Sequence, residues 1–270
     1  MVLTIVRFLN CADQPPSNKR RLSSEPSEEW DLLWHTFWGK PAADCFVKDS
    51  TRIPDLRTLE MVTNKTNYEY IKLPTNGPFP CDLRRILIIE TYRTLYARLC
   101  KEDKLYTEMP ESERLASLTH STIVTGQPGT GEALTAFGIS VALNKCDDFL
   151  GKTVGLSCIL VWRLQEKKPT VYCNDNTCAY VFTSTGVKEV SLSNRKRIEQ
   201  LDKSTDCCAL VDINLDLLEA PSQFRPSLTR QGRVVVATSP NLDHVTIFKQ
   251  DHARTYYTPT WKWADLYCAR

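Results

Sequence analysis

The sequence predicts an α/β protein with a mainly parallel sheet, preceded by a mostly helical and irregular N-terminal region. Two observations carry this. After residue 118, short apolar runs alternate with helical stretches: Ser121–Thr125, Thr170–Cys173, Cys207–Asp212 and Arg233–Thr238. Most are rich in Val, Ile or Ala, and they lack the alternation of a half-exposed strand. Such runs are buried on both faces, which implies a parallel sheet with helices on either side. The second observation is the glycine distribution. Of 10 glycines in 270 residues, three fall between Gly126 and Gly131, directly after the first run.

Taken in order, residues 1–27 form an arm. Its first twelve residues are apolar but interrupted by Arg7, too short and badly flanked for a signal peptide. Residues 13–27, DQPPSNKRRLSSEPS, are polar and rich in Pro and Ser, the composition of a linker or disordered segment. Lys19-Arg20-Arg21 within it reads as a solvated run rather than a nuclear address. An N-terminal region spans 28–117. Trp30, Trp34 and Trp38, with Leu33 and Phe37 beside them, mark one apolar face of a short helix used for packing, stopped by Gly39 and Pro41. Residues 41–80 mix Pro, Asn and Thr and read as loops and short strands. Asp82 is expected to cap a helix through Leu83, Ile86, Leu87, Tyr92, Leu95, Tyr96 and Leu99 to about Lys101.

Composition narrows the function classes. Lys+Arg 34 against Asp+Glu 32 leaves a net charge of +2, so no basic field indicates nucleic acid or an anionic membrane surface. No apolar run approaches the roughly 18 residues of a membrane span. The 11 cysteines have no regular spacing and read as reduced thiols of a cytoplasmic or nuclear protein. Cys173 and Cys178 are five apart and Cys207 and Cys208 are adjacent, so neither pair has zinc-site spacing; both read as small buried hydrophobes.

The glycine cluster carries the chemistry. Thr122–Thr125 runs straight into Gly126-Gln127-Pro128-Gly129-Thr130-Gly131. A phosphate-binding P-loop reads G-x-x-x-x-G-K-[ST]: its backbone N–H groups curl around phosphate oxygens, its Lys neutralises the β and γ phosphates, and its hydroxyl ligates Mg²⁺. Gly126 and Gly131 have the required spacing, but Glu132 and Ala133 stand where Lys and Ser/Thr belong. A carboxylate there repels a triphosphate, and Ala cannot ligate a metal. Twenty residues later the chain reads Lys152-Thr153, followed by VGLSCILVWRLQEKK. Removing Glu132 to Gly151 restores a complete P-loop and the apolar helix that the motif requires.

The segment 132–151 therefore reads as a translated, unspliced intron, with a genuine insertion or a degenerate pseudo-site as the alternatives. Its twenty residues preserve the reading frame. Gly131-Glu132 permits a GTGAG donor, and Leu150-Gly151 permits a CTAG acceptor. The segment EALTAFGISVALNKC is itself a passable helix. Either it follows Gly131 directly and leaves Lys152 and Thr153 at the start of a second helix remote from the loop, or it bulges out and Lys152 returns to the glycines. The first arrangement is the expected one.

Further residues complete a site. A P-loop NTPase needs an acidic group at the end of a buried strand to hold the water shell of Mg²⁺. Asp212 closes the run Cys207–Asp212 and is assigned that role, with a turn cap as the alternative. Ile213 follows it where many ATPases place a catalytic carboxylate; Asp216 and Glu219 are substitutes that nothing selects. Thr238 and Ser239 end the next run and are candidate γ-phosphate sensors, or turn residues before Pro240. Arg225, Arg230, Arg233 and Arg254 are conceivable phosphate partners, but Arg is usually a surface residue and none is selected.

With these pieces in order, the chain resembles the P-loop NTPase superfamily. More narrowly, it is similar to the fungal P-loop proteins related to crinkler and retrotransposon-hot-spot proteins. The motifs are TGQPGTG at 125–131, KTVGLSCILVWRLQEKKPTVYC at 152–173, ALVD at 209–212, VVVATSPN at 234–241 and YYTPTWKWADLY at 256–267. The resemblance covers roughly 118–270. It implies a three-layer P-loop core, ATP as the nucleotide with Mg²⁺, and a longer chain. The sequence stops at Arg270 in what reads as a helix starting near Trp261, so a product lacking its C-terminal lid is expected.

The expected function is nucleoside triphosphate binding by an ancestral NTPase domain whose hydrolysis is impaired by the split loop. The alternative is a non-catalytic pseudo-NTPase interaction module, favoured by Glu132. A Cys-rich metal or nucleic-acid binder fits neither the spacing nor the charge.

Overall fold

The computed structural model describes residues 28–54, 61–74, 85–116, 121–126, 152–193, 198–213, 217, 219–224, 232–238 and 253–258. The chain is α/β. Its centre is a seven-stranded sheet built from β4 (Ser121–Gly126), β5 (Thr170–Cys173), β6 (Cys178–Thr183), β7 (Gly186–Ser191), β8 (Cys208–Asp212), β9 (Arg233–Thr238) and β10 (Arg254–Thr258). The spatial order is β10-β4-β9-β8-β5-β6-β7. The first five strands run parallel, and β5, β6 and β7 continue as an antiparallel meander. The four apolar runs read from the sequence are β4, β5, β8 and β9. The last three are buried at every position, which explains why they lack alternation.

Helix α5 (Lys152–Gln165) lies on one face of this sheet, against β4, β5, β8 and β9. Every residue from Thr153 to Leu164 is buried, so the helix is enclosed all round rather than amphipathic. Its outer side is covered by the N-terminal region. Helix α1 (Glu28–Phe37) buries Trp30, Leu33 and Phe37, each contributing about 1.5–3 kcal/mol of apolar burial. Trp30 stacks on Tyr180 at 4.3 Å, and the indole N–H of Trp34 donates to the Thr183 carbonyl at 2.9 Å. The tryptophan stripe is packing, as its helical spacing suggests. Gly39 stops the chain in the left-handed region (φ 63°), with its N–H on the carbonyl of Leu164 at 2.9 Å.

The strands and one helix of this region differ in detail from expectation. Short helix α2 (Ala42–Cys45) is followed by β1 (Phe46–Pro54), β2 (Met61–Lys72) and β3 (Arg85–Ile88), a three-stranded antiparallel sheet in the order β1-β2-β3. The first two strands fall in 41–80, where loops and short strands are expected, but they are longer than expected. The helix expected from Asp82 begins instead at Glu90, as α3 (Glu90–Glu108), followed by α4 (Glu111–Ala116). Asp82 and Leu83 lie outside the described residues. Ile86 and Leu87 fit a helical face by spacing, but Arg85-Ile86-Leu87-Ile88 is also a short β-prone run. Pairing with β2 decides the outcome (Ile86 with Ile71, Leu87 with Tyr70).

One continuous apolar cluster joins Trp30, Phe37, Ile71 and Leu95 of the N-terminal region to Val124, Leu160, Leu210 and Val235 of the sheet and α5. The other sheet face packs Ile123, Ala209, Val211 and Val236 against Ile198, Leu201, Leu217 and Phe224, where Leu201 belongs to short helix α6 (Glu199–Lys203). No helix among the described residues is long and apolar enough to cross a membrane. The arm 1–27, the segment 132–151 and the residues from Trp261 onward lie outside the described residues.

Candidate functional site

The topology makes a crevice. From β4 the chain passes through α5 to β5, beyond β9 and β8; from β9 it continues to β10, on the other side of β4. Connections leaving two adjacent strands in opposite directions create a switch point, and ligands of open α/β sheets bind outside the carboxyl ends of strands there. The register places those ends level. Val124 pairs with Ala237, which pairs with Asp212, while Thr125 pairs with Thr238. Val124, Ala237 and Asp212 therefore share the sheet face covered by α5, and Thr125 and Thr238 share the opposite face.

Gly126, the first residue of the glycine cluster, ends β4 at this crevice. Gln127, Pro128, Gly129, Thr130 and Gly131 lie outside the described residues, as does Ser239. Helix α5 begins at Lys152. Thr153, its second residue, is 4% exposed and donates its hydroxyl proton to Oδ1 of Asp212 at 3.0 Å; Asp212 is 2% exposed at the end of β8. Ser157 donates to the Thr153 carbonyl at 2.8 Å, anchoring the first turn.

Lys152 and Thr153, expected to start a helix remote from the loop, open α5; of the loop, Gly126 alone is described. The N-terminus of α5 stands at the same end of the sheet as Gly126. The physical reason is burial. An all-round apolar helix is stable only between the sheet and the N-terminal region, and seating it there brings its first turn to the carboxyl edge.

Thr238 lies where the sequence places it, at the end of β9, fully buried. Its hydroxyl, like that of buried Thr125 beside it, has no hydrogen-bond partner among the described residues. Thr258 of β10 donates to the carbonyl of Thr125 at 3.3 Å. Sequence reasoning overlooked Thr125, although its place one residue before the glycines was a usable signal. It also overlooked Tyr172 of β5, whose buried hydroxyl has no hydrogen-bond partner among the described residues. Burial raises the Tyr172 phenol well above its ordinary range, and the charge of Asp212 adds to the effect.

The arginines considered as phosphate partners sit elsewhere. Arg233 begins β9, at the amino end of the parallel strands. There its guanidinium bonds Asp103 at 2.6 Å, Glu102 at 3.1 Å and the Thr122 hydroxyl at 3.0 Å. Arg254 reaches Glu102 at 2.8 Å. Buried Arg163, near the end of α5, joins the same cluster through Asp103 at 3.8 Å. These pairs bind α3 to the base of the sheet, opposite the crevice. Glu219 is exposed; Asp216, Arg225 and Arg230 lie outside the described residues.

Cys173, Cys178, Cys207 and Cys208 are buried thiols, consistent with their reading as small hydrophobes, and Cys45 and Cys158 are buried as well. Burial pushes Cys207 up to about 12, and Cys178 and Cys208 up to about 11. Among the described residues no three His, Cys, Asp or Glu groups gather as a metal cluster. Among the described residues, the oxygens that meet at the start of α5 are the Thr153 hydroxyl and the Asp212 carboxylate. Such an oxygen-only pair suits Mg²⁺, which is held by one or two carboxylates together with substrate phosphates and water rather than by an all-protein cage.

Compared with known proteins, the chain matches no family model, no curated protein and no solved structure.

Proposed function

We propose that this chain binds a nucleoside triphosphate, ATP, with Mg²⁺ at the carboxyl edge of its parallel sheet, in a three-layer P-loop domain. The observation that carries the reading is the buried hydrogen bond from Thr153 to Asp212, 59 residues apart. A P-loop requires a hydroxyl at the second position of the helix that follows the loop, and a carboxylate at the end of a neighbouring strand. Both side chains are metal-ligand types, and they meet directly.

The roles follow from position. Gly126, Gly129 and Gly131 would present backbone N–H groups to the phosphates, with Gln127 and Thr130 beside them, while Pro128, which has no N–H, would fix the shape of the loop. The start of α5 adds its N-terminal dipole. Lys152 neutralises the β and γ phosphates. Thr153 would ligate Mg²⁺, and Asp212 would hold the metal's water. Mg²⁺ held there would supply neutralisation of phosphate charge. Thr238 would sense the γ-phosphate from the opposite sheet face, with Ser239 after it as the other candidate.

Ile213 supplies no base after Asp212, so the reading is binding with little hydrolysis, in the cytoplasm or nucleus. The second reading, a pseudo-NTPase interaction module, is favoured by Glu132 in the literal register of the loop.

Fluorescent ATP titrated with Mg²⁺ into the full chain, and into a chain lacking residues 132–151, tests the reading. Binding by both supports reassembly of the site around the segment. Binding by the shortened chain alone makes the segment an interruption, as the retained-intron reading expects. Binding by neither leaves the interaction module.

A further inference from the structure

A groove of about 700 Å³ opens between the β1–β2 hairpin and the first turn of α3, lined among others by Asp49, Asn67, Tyr68, Glu69, Glu90 and Arg93. Its position relative to the crevice follows from helix packing. Helix α3 runs beside α5 in the same direction. A Cβ on Gly155, in the first turn of α5, would lie 3.1 Å from the ring of Tyr92, while Asp103 meets Arg163 at 3.8 Å near the other end. The first turn of α3 is therefore level with the first turn of α5. Packed helices lie about 8–10 Å apart, so Glu90 and Arg93 stand roughly one helix spacing from the helix that carries Lys152 and Thr153.

The sheet gives this arrangement a direction. Asp212 on β8 marks the metal and γ-phosphate end of the proposed nucleotide, and Gly126 on β4 marks the loop that cradles the α and β phosphates. A line from β8 across β9 to β4 continues to β10. Helix α3 covers that side: the guanidinium of Arg98 lies 4.1 Å over the ring of Tyr256, and the Tyr256 hydroxyl donates to Glu102 at 3.1 Å. The nucleoside end of a bound triphosphate thus points toward α3 and the groove.

The lining suits a nucleoside. Carboxylates accept hydrogen bonds from ribose hydroxyls, and an amide can pair with both a donor and an acceptor on a purine edge. An aromatic ring offers a stacking surface. The Tyr68 hydroxyl donates to Asp49 at 3.1 Å and Arg93 pairs with Glu69, so these four are pre-positioned. No hydrogen bond among the described residues occupies the side chain of Asn67 or Glu90.

We propose that the groove between the β1–β2 hairpin and α3 is the nucleoside subsite, holding the sugar through Glu90 and the base through Asn67. The N-terminal region then completes the binding site rather than merely packing on it. This inference rests on the nucleotide reading above.

The test compares Mg²⁺–ATP with Mg²⁺–tripolyphosphate on the full chain, using Asn67→Ser and Glu90→Gln, both at exposed positions. The expected result is a drop in ATP affinity of about tenfold in each variant, with tripolyphosphate affinity and melting temperature unchanged. Unchanged ATP affinity in both variants overturns the subsite, as does an equal loss for the two ligands. Equal wild-type affinity for ATP and tripolyphosphate also overturns it while leaving the phosphate site standing. Failure of the wild type to bind either ligand removes the nucleotide reading and the subsite together.

Discussion

The hydroxyl of Thr153 donates to the carboxylate of Asp212 across 3.0 Å, both side chains being buried at the carboxyl edge of the sheet. It joins the first turn of one element to the last residue of another. Replacing Thr153 with Val keeps the shape and removes one hydrogen bond from a buried carboxylate. The expected loss is about 1.5–3 kcal/mol of stability, the range for hydrogen bonds to charged groups. Thr153→Ser restores both stability and Mg²⁺-dependent ATP binding. Urea denaturation and nucleotide titration measure the two effects; a fully stable Thr153→Val chain contradicts the bond's importance.

The opposite end of the sheet gives a control. Arg233 is 3% exposed and bonds Glu102, Asp103 and Thr122. Arg233→Met removes the cation shared by two carboxylates, which keep Arg254 and Arg163 as partners. Leaving a buried charge wholly unpaired costs about 3–5 kcal/mol, so with these partners retained a smaller loss of stability is expected. The folded fraction keeps its nucleotide affinity, because this cluster lies away from the crevice. A stable variant with lost binding would place Arg233 in the site instead.

Gly232 tests the seam between α6 and β9. A Cβ there would meet Leu201 Cδ2 at 2.7 Å and the Cys207 carbonyl at 3.0 Å. The backbone cannot retreat easily, because Gly232 donates to the Leu201 carbonyl at 2.8 Å and Arg233 donates to that of Cys207 at 2.9 Å. Gly232→Ala is expected to cost about 1–3 kcal/mol, the usual penalty for overpacking, read as a lower urea midpoint. An unchanged midpoint would mean that the seam yields freely.

Burial raises the thiols of Cys158, Cys173, Cys178, Cys207 and Cys208 in the folded chain. In the unfolded chain a thiol titrates near 8.5. The folded state therefore holds more protons above that value, so stability is full below about pH 8.5 and falls as pH rises. The slope is about 1.4 kcal/mol per pH unit for each thiol until its folded pKa is reached. A urea midpoint at pH 10 well below that at pH 7.5 is expected; equal midpoints contradict the burial of these groups.

The sheet was legible because its central strands are buried on both faces, which leaves a contiguous apolar signature at Cys208–Asp212 and Arg233–Thr238. Strands β6, β7 and β10 were not legible. Gly186–Ser191, with one fully buried residue, and Arg254–Thr258 mix exposed and half-buried positions, whereas Cys178–Thr183 is buried at its first five positions but carries Cys, Ala and Tyr rather than a Val/Ile run. Arg85–Ile88 read as helix because spacing alone cannot tell a short apolar strand from a helical turn; the partner strand β2 decides.

For the site, Thr153 and Asp212 were legible from motif chemistry. Their contact was not, because it depends on how a buried helix is clamped. The Arg233–Asp103 pair, 130 residues apart, leaves no local pattern at all.

The most direct test of the account is the affinity of the full chain for Mg²⁺–ATP before and after Lys152→Ala. Lys152 opens α5 beside Thr153, away from the fully enclosed part of the helix. The account predicts measurable binding by the unaltered chain and a loss of at least about tenfold in the variant, since a charge-assisted phosphate contact is removed. Equal binding by both chains would place the nucleotide elsewhere and contradict a site built on the start of α5.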